Sequence, residues 1–320
     1  MININKIFST LIALAGASGS LHADAITVCP DGTCDFTSVD EAITAAADGD
    51  RIEIGSGVYE ISENHDLEER RIEVVGVAEP DEPTPRLQLT GGTRWSLGPF
   101  EYRIESVEFA GDVDGIPTHV FFLDARTTLE TDIRLQGCRF QGLRNNLIRA
   151  FTADIDDCVF DNCFVDAEGS FVRVRNASLE GCLFDSCVVG NGASQFRFMI
   201  QAYKGFEAID TIVRNCEFRY ANCEWLRSWG PGPVVLRDCR FEENSSSYYG
   251  LVTIWGQADA LIDDCVFTGN HNAPEHYVGS ITTVDTASLL IRDCVFDDPA
   301  APCDDQTPPD RPGPRALGIF

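Results

Sequence analysis

Ile155-Asp156-Asp157-Cys158-Val159-Phe160 is one copy of a phrase that the chain writes seven times: an aliphatic residue, two polar residues, then Cys-x-Phe. The other copies run Leu135 to Phe140, Leu179 to Phe184, Val213 to Phe218, Leu236 to Phe241, Ile262 to Phe267 and Ile291 to Phe296. A further copy, Ile104 to Phe109, has Val107 where the others have Cys. Successive cysteines are 20, 24, 34, 23, 26 and 29 residues apart. Self-similarity at such a period marks a stacked-repeat architecture and outranks any local reading.

Within the phrase, Cys and Phe alternate with an outward residue as in a half-buried strand, and the two polar residues before them make a bend. The residue preceding Cys is Gly137, Asp157, Gly181, Asn215, Asp238, Asp264 or Asp293. These types accept a left-handed or side-chain-capped turn. β-rich runs such as Phe171-Val-Arg-Val-Arg175 and Leu251-Val-Thr-Ile-Trp255 fill the intervals. The period is too short for a strand–helix–strand unit or a propeller blade. It suits three short strands and three turns, one coil of a parallel solenoid whose Cys and Phe stack on those of the next coil. A second column follows five residues after the repeat Cys, with Cys163, Cys187, Asn244 and Asn270, and Asn222 and Cys223 just beyond that offset. Asn at such a turn can hydrogen-bond along the ladder, and Cys can pack as a small hydrophobe.

With these features the chain resembles the pectin-lyase-like superfamily of right-handed parallel β-helix proteins, which carry Cys/Asn-x-Phe-x-x-Asn repeats. The stretch Asp35-Phe-Thr-Ser-Val-Asp-Glu-Ala-Ile43, then Ala47 to Ile54, then Gly57-Val-Tyr59, is similar to that superfamily's capping helix and first coil. Val39, Ala42, Ile43 and Ala46 give the helix one apolar face able to plug the open end. The expectation is an all-β, right-handed parallel β-helix of about 8–10 coils with an N-terminal capping helix. Residues 1–25 read as a secretory signal, with Lys6, an apolar stretch and Ala23-Asp-Ala25. Residues 26–100 read as cap and first coils, 101–298 as the repeats, and 299–320 as a flexible Pro/Asp-rich end.

Export allows disulfides, and Cys29 and Cys34 flank a turn, so they are the expected pair. The repeat cysteines are expected as buried, reduced core residues. The chain carries 51 acidic against 24 basic residues, a net charge of −27, which disfavours nucleic acid and anionic lipid as partners. Nothing after the first 25 residues is long and apolar enough for membrane insertion.

The superfamily's enzymes cut or de-esterify acidic polysaccharides, so the resemblance implies a polysaccharide or cell-surface glycan partner. Its catalytic segments are absent, however. Gly57-Val-Tyr59-Glu60 sets its Glu one place early for the pectin methylesterase pattern, and the paired-aspartate segments are missing. The Gly-His-Gly and Arg-Ile-Lys segments of polygalacturonases are missing too. Gly57 and Tyr59 therefore read as scaffold.

Two columns carry the remaining chemistry. Asp238, Asp264 and Asp293 precede Cys in three consecutive coils, and in register they would lie about 4.8 Å apart. Such a set would take Ca2+, or each Asp would cap its own bend while neighbouring arginines neutralise the stack. The other column is basic and aromatic: Arg149, Arg173, Arg175, Arg197, Tyr203, Lys204, Trp225, Arg227 and Trp229. Arg holds carboxylate or sulfate through a two-pronged bond, and flat aromatics stack on sugar rings. Read as one outward stripe, it makes an exported protein binding acidic polysaccharide. Three readings stay open: such a binder, a divergent polysaccharide lyase or glycoside hydrolase with Lys204 as base, and a structural spacer or adhesin.

Overall fold

Each repeat phrase folds as a corner between two strands. The residue before Cys (or before Val107) has φ between 50° and 63° in all eight copies, from Ser106 through Asp293. This left-handed turn suits Gly, Asn and Asp. At Gly181 the φ of 63° is itself the requirement, since the nearest atom to a Cβ there is the movable carboxylate of Asp157. A second left-handed corner lies five residues on, at Gly142, Asn162, Ser186, Tyr220, Glu243 and Gly269.

The computed structural model describes residues 25–90, 92–111, 122–125, 130–144, 147–165, 170–189, 198–202, 210–246, 250–256, 258–272, 280–284, 286, 288–297 and 316–319. Three parallel sheets run the length of the molecule, and the chain visits them in turn. The first sheet has eleven strands, from Ala25–Val28 to Ser288–Arg292; the second has ten, from Val58–Ile61 to Val295–Asp297. The third begins at His65–Leu67 and reaches Ile281–Val284 in parallel register. Ala316–Ile319 then joins its edge antiparallel. The flexible end expected for residues 299–320 therefore needs correcting at its last residues, which return to pair with the last coil. The chain is an all-β parallel β-solenoid of the expected kind.

The core is built of columns. Phe109, Phe140, Phe160, Phe184, Phe218, Phe241, Phe267 and Phe296 share one register, with neighbouring rings 4.4–5.2 Å apart and within 10° of parallel. Facing them is the aliphatic column Ile104, Leu135, Ile155, Leu179, Val213, Leu236, Ile262 and Ile291. The repeat cysteines are buried between the two, apart from Cys294 at the end, which is half-buried. Their thiols donate to carbonyls two residues earlier, as Cys216 Sγ does to Arg214 O at 3.1 Å.

The second-corner column includes Cys163, Cys187, Ala221, Asn244 and Asn270. Ala221 stands where Asn222 and Cys223 were expected to come close. Asn244 Nδ2 donates to Phe218 O at 2.8 Å and Asn270 Nδ2 to Phe241 O at 2.9 Å. Cys163 and Cys187 reach the equivalent carbonyls, Phe140 O and Phe160 O, at 3.5 and 3.6 Å. The Asn ladder anticipated from the sequence is present, and Cys replaces the amide donor where Asn is missing.

At the N-terminal end, the helix Val39–Ala45 is capped by Ser38, whose side chain accepts from Glu41 N. Val39, Ala42, Ile43 and Ala46 are buried against the first coil. Asp40 latches the helix down, accepting from Ser62 N at 2.9 Å and lying 2.8 Å from His65 Nε2. Cys29 and Cys34 form a disulfide. Tyr59 Oη donates to Gly55 O at 2.8 Å from a buried position, and a Cβ on Gly57 (φ +149°) would meet Pro30 at 2.9 Å, so both serve the scaffold. Among the described residues no helix is long and apolar enough to cross a membrane. Residues 1–24, which carry most of the expected signal segment, lie outside the described residues.

Candidate functional site

One row of the third sheet is polar over most of its length. In backbone register it reads Asp66, Ser96, Asp124, Arg149, Arg173, Gln201, Arg227, Thr253 and Thr282. Successive members are about one strand spacing, 4.8 Å, apart along the axis. Its neighbour row, Leu123, Ile148, Val172, Ile200, Leu226, Val252 and Ile281, is aliphatic. Alternation turns the polar row away from the aliphatic one, yet Asp124, Arg227, Thr253 and Thr282 in it are buried and only part of the row meets solvent.

Arg149 and Arg173 are adjacent in this row and half-buried. Arg149 Nη1 lies 3.6 Å from the buried carboxylate of Asp124, which Arg94 approaches at 4.0 Å from the other side. Arg175 is half-buried with its guanidinium over the Phe151 ring, 5.6 Å from the centroid. Arg197, Tyr203 and Lys204 lie outside the described residues.

Two members of the expected stripe need correction. Trp225 is not an outer aromatic: it is fully buried, 5.2 Å from Phe218 and 5.7 Å from Phe184. Trp225 stands at the start of its strand, just before Leu226, where Leu147, Phe171 and Leu251 are likewise buried before the aligned aliphatic residues Ile148, Val172 and Val252. Strict alternation had placed Trp225, Arg227 and Trp229 on one face. Arg227 keeps the outward register but is only 1% exposed, so it is not a solvent-facing cation.

The start of this strand also holds a cluster that alternation does not foresee. Glu224 pairs with Arg227, whose Nε donates to Oε1 at 3.0 Å and Nη2 to Oε2 at 2.6 Å. Both side chains are buried. The Arg227 guanidinium stands 5.8 Å from the Trp255 ring. Trp255 is in register with Trp229 and in edge contact with it at 5.3 Å, and both indoles are half-exposed. Burial pushes the Glu224 carboxyl up to about 7, against the pull of the Arg227 charge and its hydrogen bonds. A carboxyl poised near neutral pH beside a cation can exchange protons and anions. Glu224 was missed because residues three apart in a regular strand face opposite ways.

The acidic column behaves differently from the calcium reading. Asp263, Asp264 and Asp293 bring carboxylate oxygens within 4.8 Å of one another, and Asp238 is not part of the group. Asp263 is buried and takes Arg237 Nε at 3.2 Å and both Nε and Nη2 of Arg292. The Arg292 bonds come first among the causes that hold its carboxyl below the usual range. A cation would have to displace two guanidinium partners, so the donor set does not fit Ca2+. Asp238, Asp264 and Asp293 instead each hold a left-handed corner.

No family model matches the chain, and no curated protein matches it. Among solved structures it is similar to the pectin methylesterase from Aspergillus niger in deglycosylated form, at 13% identity and TM-score 0.41, over 78% of this chain and 85% of that one. It is also similar to the mannuronan C-5 epimerase AlgE4 A-module of Azotobacter vinelandii, at 12% identity and TM-score 0.40, over 81% and 90%. Both are parallel β-helix proteins of the pectin-lyase-like fold.

Proposed function

We propose that the chain is an exported β-helix protein that binds acidic polysaccharide along the outer face of its third sheet. The observation that carries this reading is the polar row itself, with Arg149 and Arg173 side by side at one register and half-exposed. Arg149 and Arg173, about one strand spacing of 4.8 Å apart, are the accessible cations of a row whose Asp124, Arg227, Thr253 and Thr282 are buried. They would meet successive acidic groups of a polymer lying along the solenoid axis. Two adjacent guanidiniums favour a ligand with repeated carboxylate or sulfate groups, since each fork can hold one anion through two bonds. The overall charge of −27 works against such a ligand, so retention rests on the local pair and weakens as salt rises.

A catalytic reading has one observation in its favour, the Glu224 carboxyl near neutral pH beside Arg227. Uronate and sulfated glycans on an affinity column test the binding reading. Replacing Arg149 and Arg173 together with Gln should abolish retention. Arg173→Gln alone should weaken it with little change in melting temperature, since a partly exposed charge contributes little to stability whereas Arg149 faces the buried Asp124. Retention that survives the double substitution rejects this face as the binding site, and no retention by the parent protein rejects binding itself and leaves a rigid spacer. Release of unsaturated or reducing ends during the same incubation would identify an enzyme.

A further inference from the structure

We infer that Arg227 is an anion-binding site whose resting occupant is the chain's own Glu224, and that an acidic sugar takes its place by exchange while Glu224 accepts a proton. This rests on the binding reading above and adds a ligand-linked proton to it.

The geometry supplies the reason. Glu224 holds Arg227 through two parallel bonds of 3.0 and 2.6 Å, the same fork that a uronate carboxylate would use. The pair is out of water, with Glu224 7% and Arg227 1% exposed. Two ionised carboxylates beside one buried guanidinium would leave an uncompensated charge at low dielectric, which is strongly unfavourable. A second carboxylate can therefore enter only if the first is neutralised. The balance is simple: one proton passes from solvent to a Glu224 oxygen, the Glu224–Arg227 ion pair is lost, and the ligand–Arg227 ion pair replaces it. Site charge is the same before and after.

The surroundings suit the exchange. Among the described residues, the charged group acting on Glu224 is Arg227, on the same strand, and the neighbouring strand contributes the Thr253 hydroxyl. Cys223, just before Glu224, is a buried thiol held well above its ordinary range by desolvation and stays neutral. Burial already brings the carboxyl to about 7, so protonating it costs little near neutrality. Trp255 stands beside the guanidinium with Trp229 in edge contact, and these two partly exposed indoles supply flat faces of the kind that stack on sugar rings.

Titration calorimetry of the full chain with a hexuronic acid hexasaccharide, in buffers of different ionisation enthalpy, tests the inference. About one pH unit above 7, nearly one proton should be taken up per ligand bound, and affinity should fall about tenfold per further pH unit. Glu224→Gln should bind with no proton uptake and a flat pH profile. Binding by the parent protein without proton uptake, or a Glu224→Gln profile identical to the parent's, overturns the exchange while leaving polysaccharide binding intact. Absence of binding at every pH overturns both.

Discussion

Asn244 offers the sharpest test of how the coils are held in register. It is fully buried at a corner, donates through Nδ2 to Phe218 O at 2.8 Å and accepts at Oδ1 from Ala221 N at 3.1 Å. Asn270 Oδ1 accepts from its backbone N at 3.0 Å and its Nδ2 at 3.1 Å. Asn244→Ala keeps the backbone bond but deprives Phe218 O and Ala221 N of the Asn244 side chain inside the core. A buried polar group left without its partner costs about 1–3 kcal/mol, so the two together should cost about 4 kcal/mol. That is a large share of the roughly 5–15 kcal/mol that holds a typical domain folded. The molecule supplies its own control. Cys163 and Cys187 occupy the same corner in other coils and direct Sγ at the equivalent carbonyls. Asn244→Cys should therefore restore the bond to Phe218 O but not the acceptor for Ala221 N, and recover about half the loss. Equilibrium denaturation gives the magnitudes, and hydrogen exchange at the Ala221 amide gives the location. If Asn244→Ala costs under about 1 kcal/mol, or Cys proves no better than Ala, then the amide ladder does not hold the coils and the argument fails.

Phe241 stacks at 4.7 and 4.6 Å between Phe218 and Phe267, so Phe241→Ala should cost about 3–5 kcal/mol. Arg240→Ala, one residue away on the exposed side, should stay within about 0.5 kcal/mol in chemical denaturation. Thiol titration of the native protein should find Cys294 reacting fast among the described free cysteines, and the buried ones reacting only on unfolding. Many fast thiols would contradict the buried column. Burial raises the folded-state value of Glu224 to about 7 from 4.5, so its stabilising contribution is full below about 4.5 and is lost as pH rises through 7. Melts across that window should show the parent losing up to about 3 kcal/mol relative to Glu224→Gln. Parallel pH profiles for the two would show that Glu224 titrates normally.

The corner residues made the fold readable. Gly, Asn or Asp before each Cys announces a left-handed turn, and the alternation of Cys and Phe around one outward residue announces the strand that follows. Those features are local, and the solenoid is a stack of local units, so the expectation carried over to the coils. The arginine row was legible at Arg149 and Arg173 for the same reason, because both stand nine residues before their Cys. The reading broke down at Trp225. Trp225 opens its strand, and at that place alternation gives way in other coils too, where Leu147, Phe171 and Leu251 are buried beside buried neighbours. The same departure from alternation hid Glu224, whose partner Arg227 lies three residues away in what alternation treats as opposite faces. Of the acidic residues, Asp263 rather than Asp238 stands with Asp264 and Asp293, because cross-coil approach depends on side-chain reach as well as on register.

The parallel stacking also determines how the molecule would respond to being pulled by its two ends. Force along the axis loads each coil's hydrogen bonds to the next one after another, as in peeling tape, so coils should detach singly rather than all together. Each detachment frees a length of chain set by that coil's residue count, at about 3.3–3.6 Å per residue. The spacing from Cys182 to Cys216 is the longest at 34 residues, and that from Cys138 to Cys158 the shortest at 20. An extension trace would thus carry the uneven repeat lengths as a series of unequal steps, a mechanical barcode of the sequence.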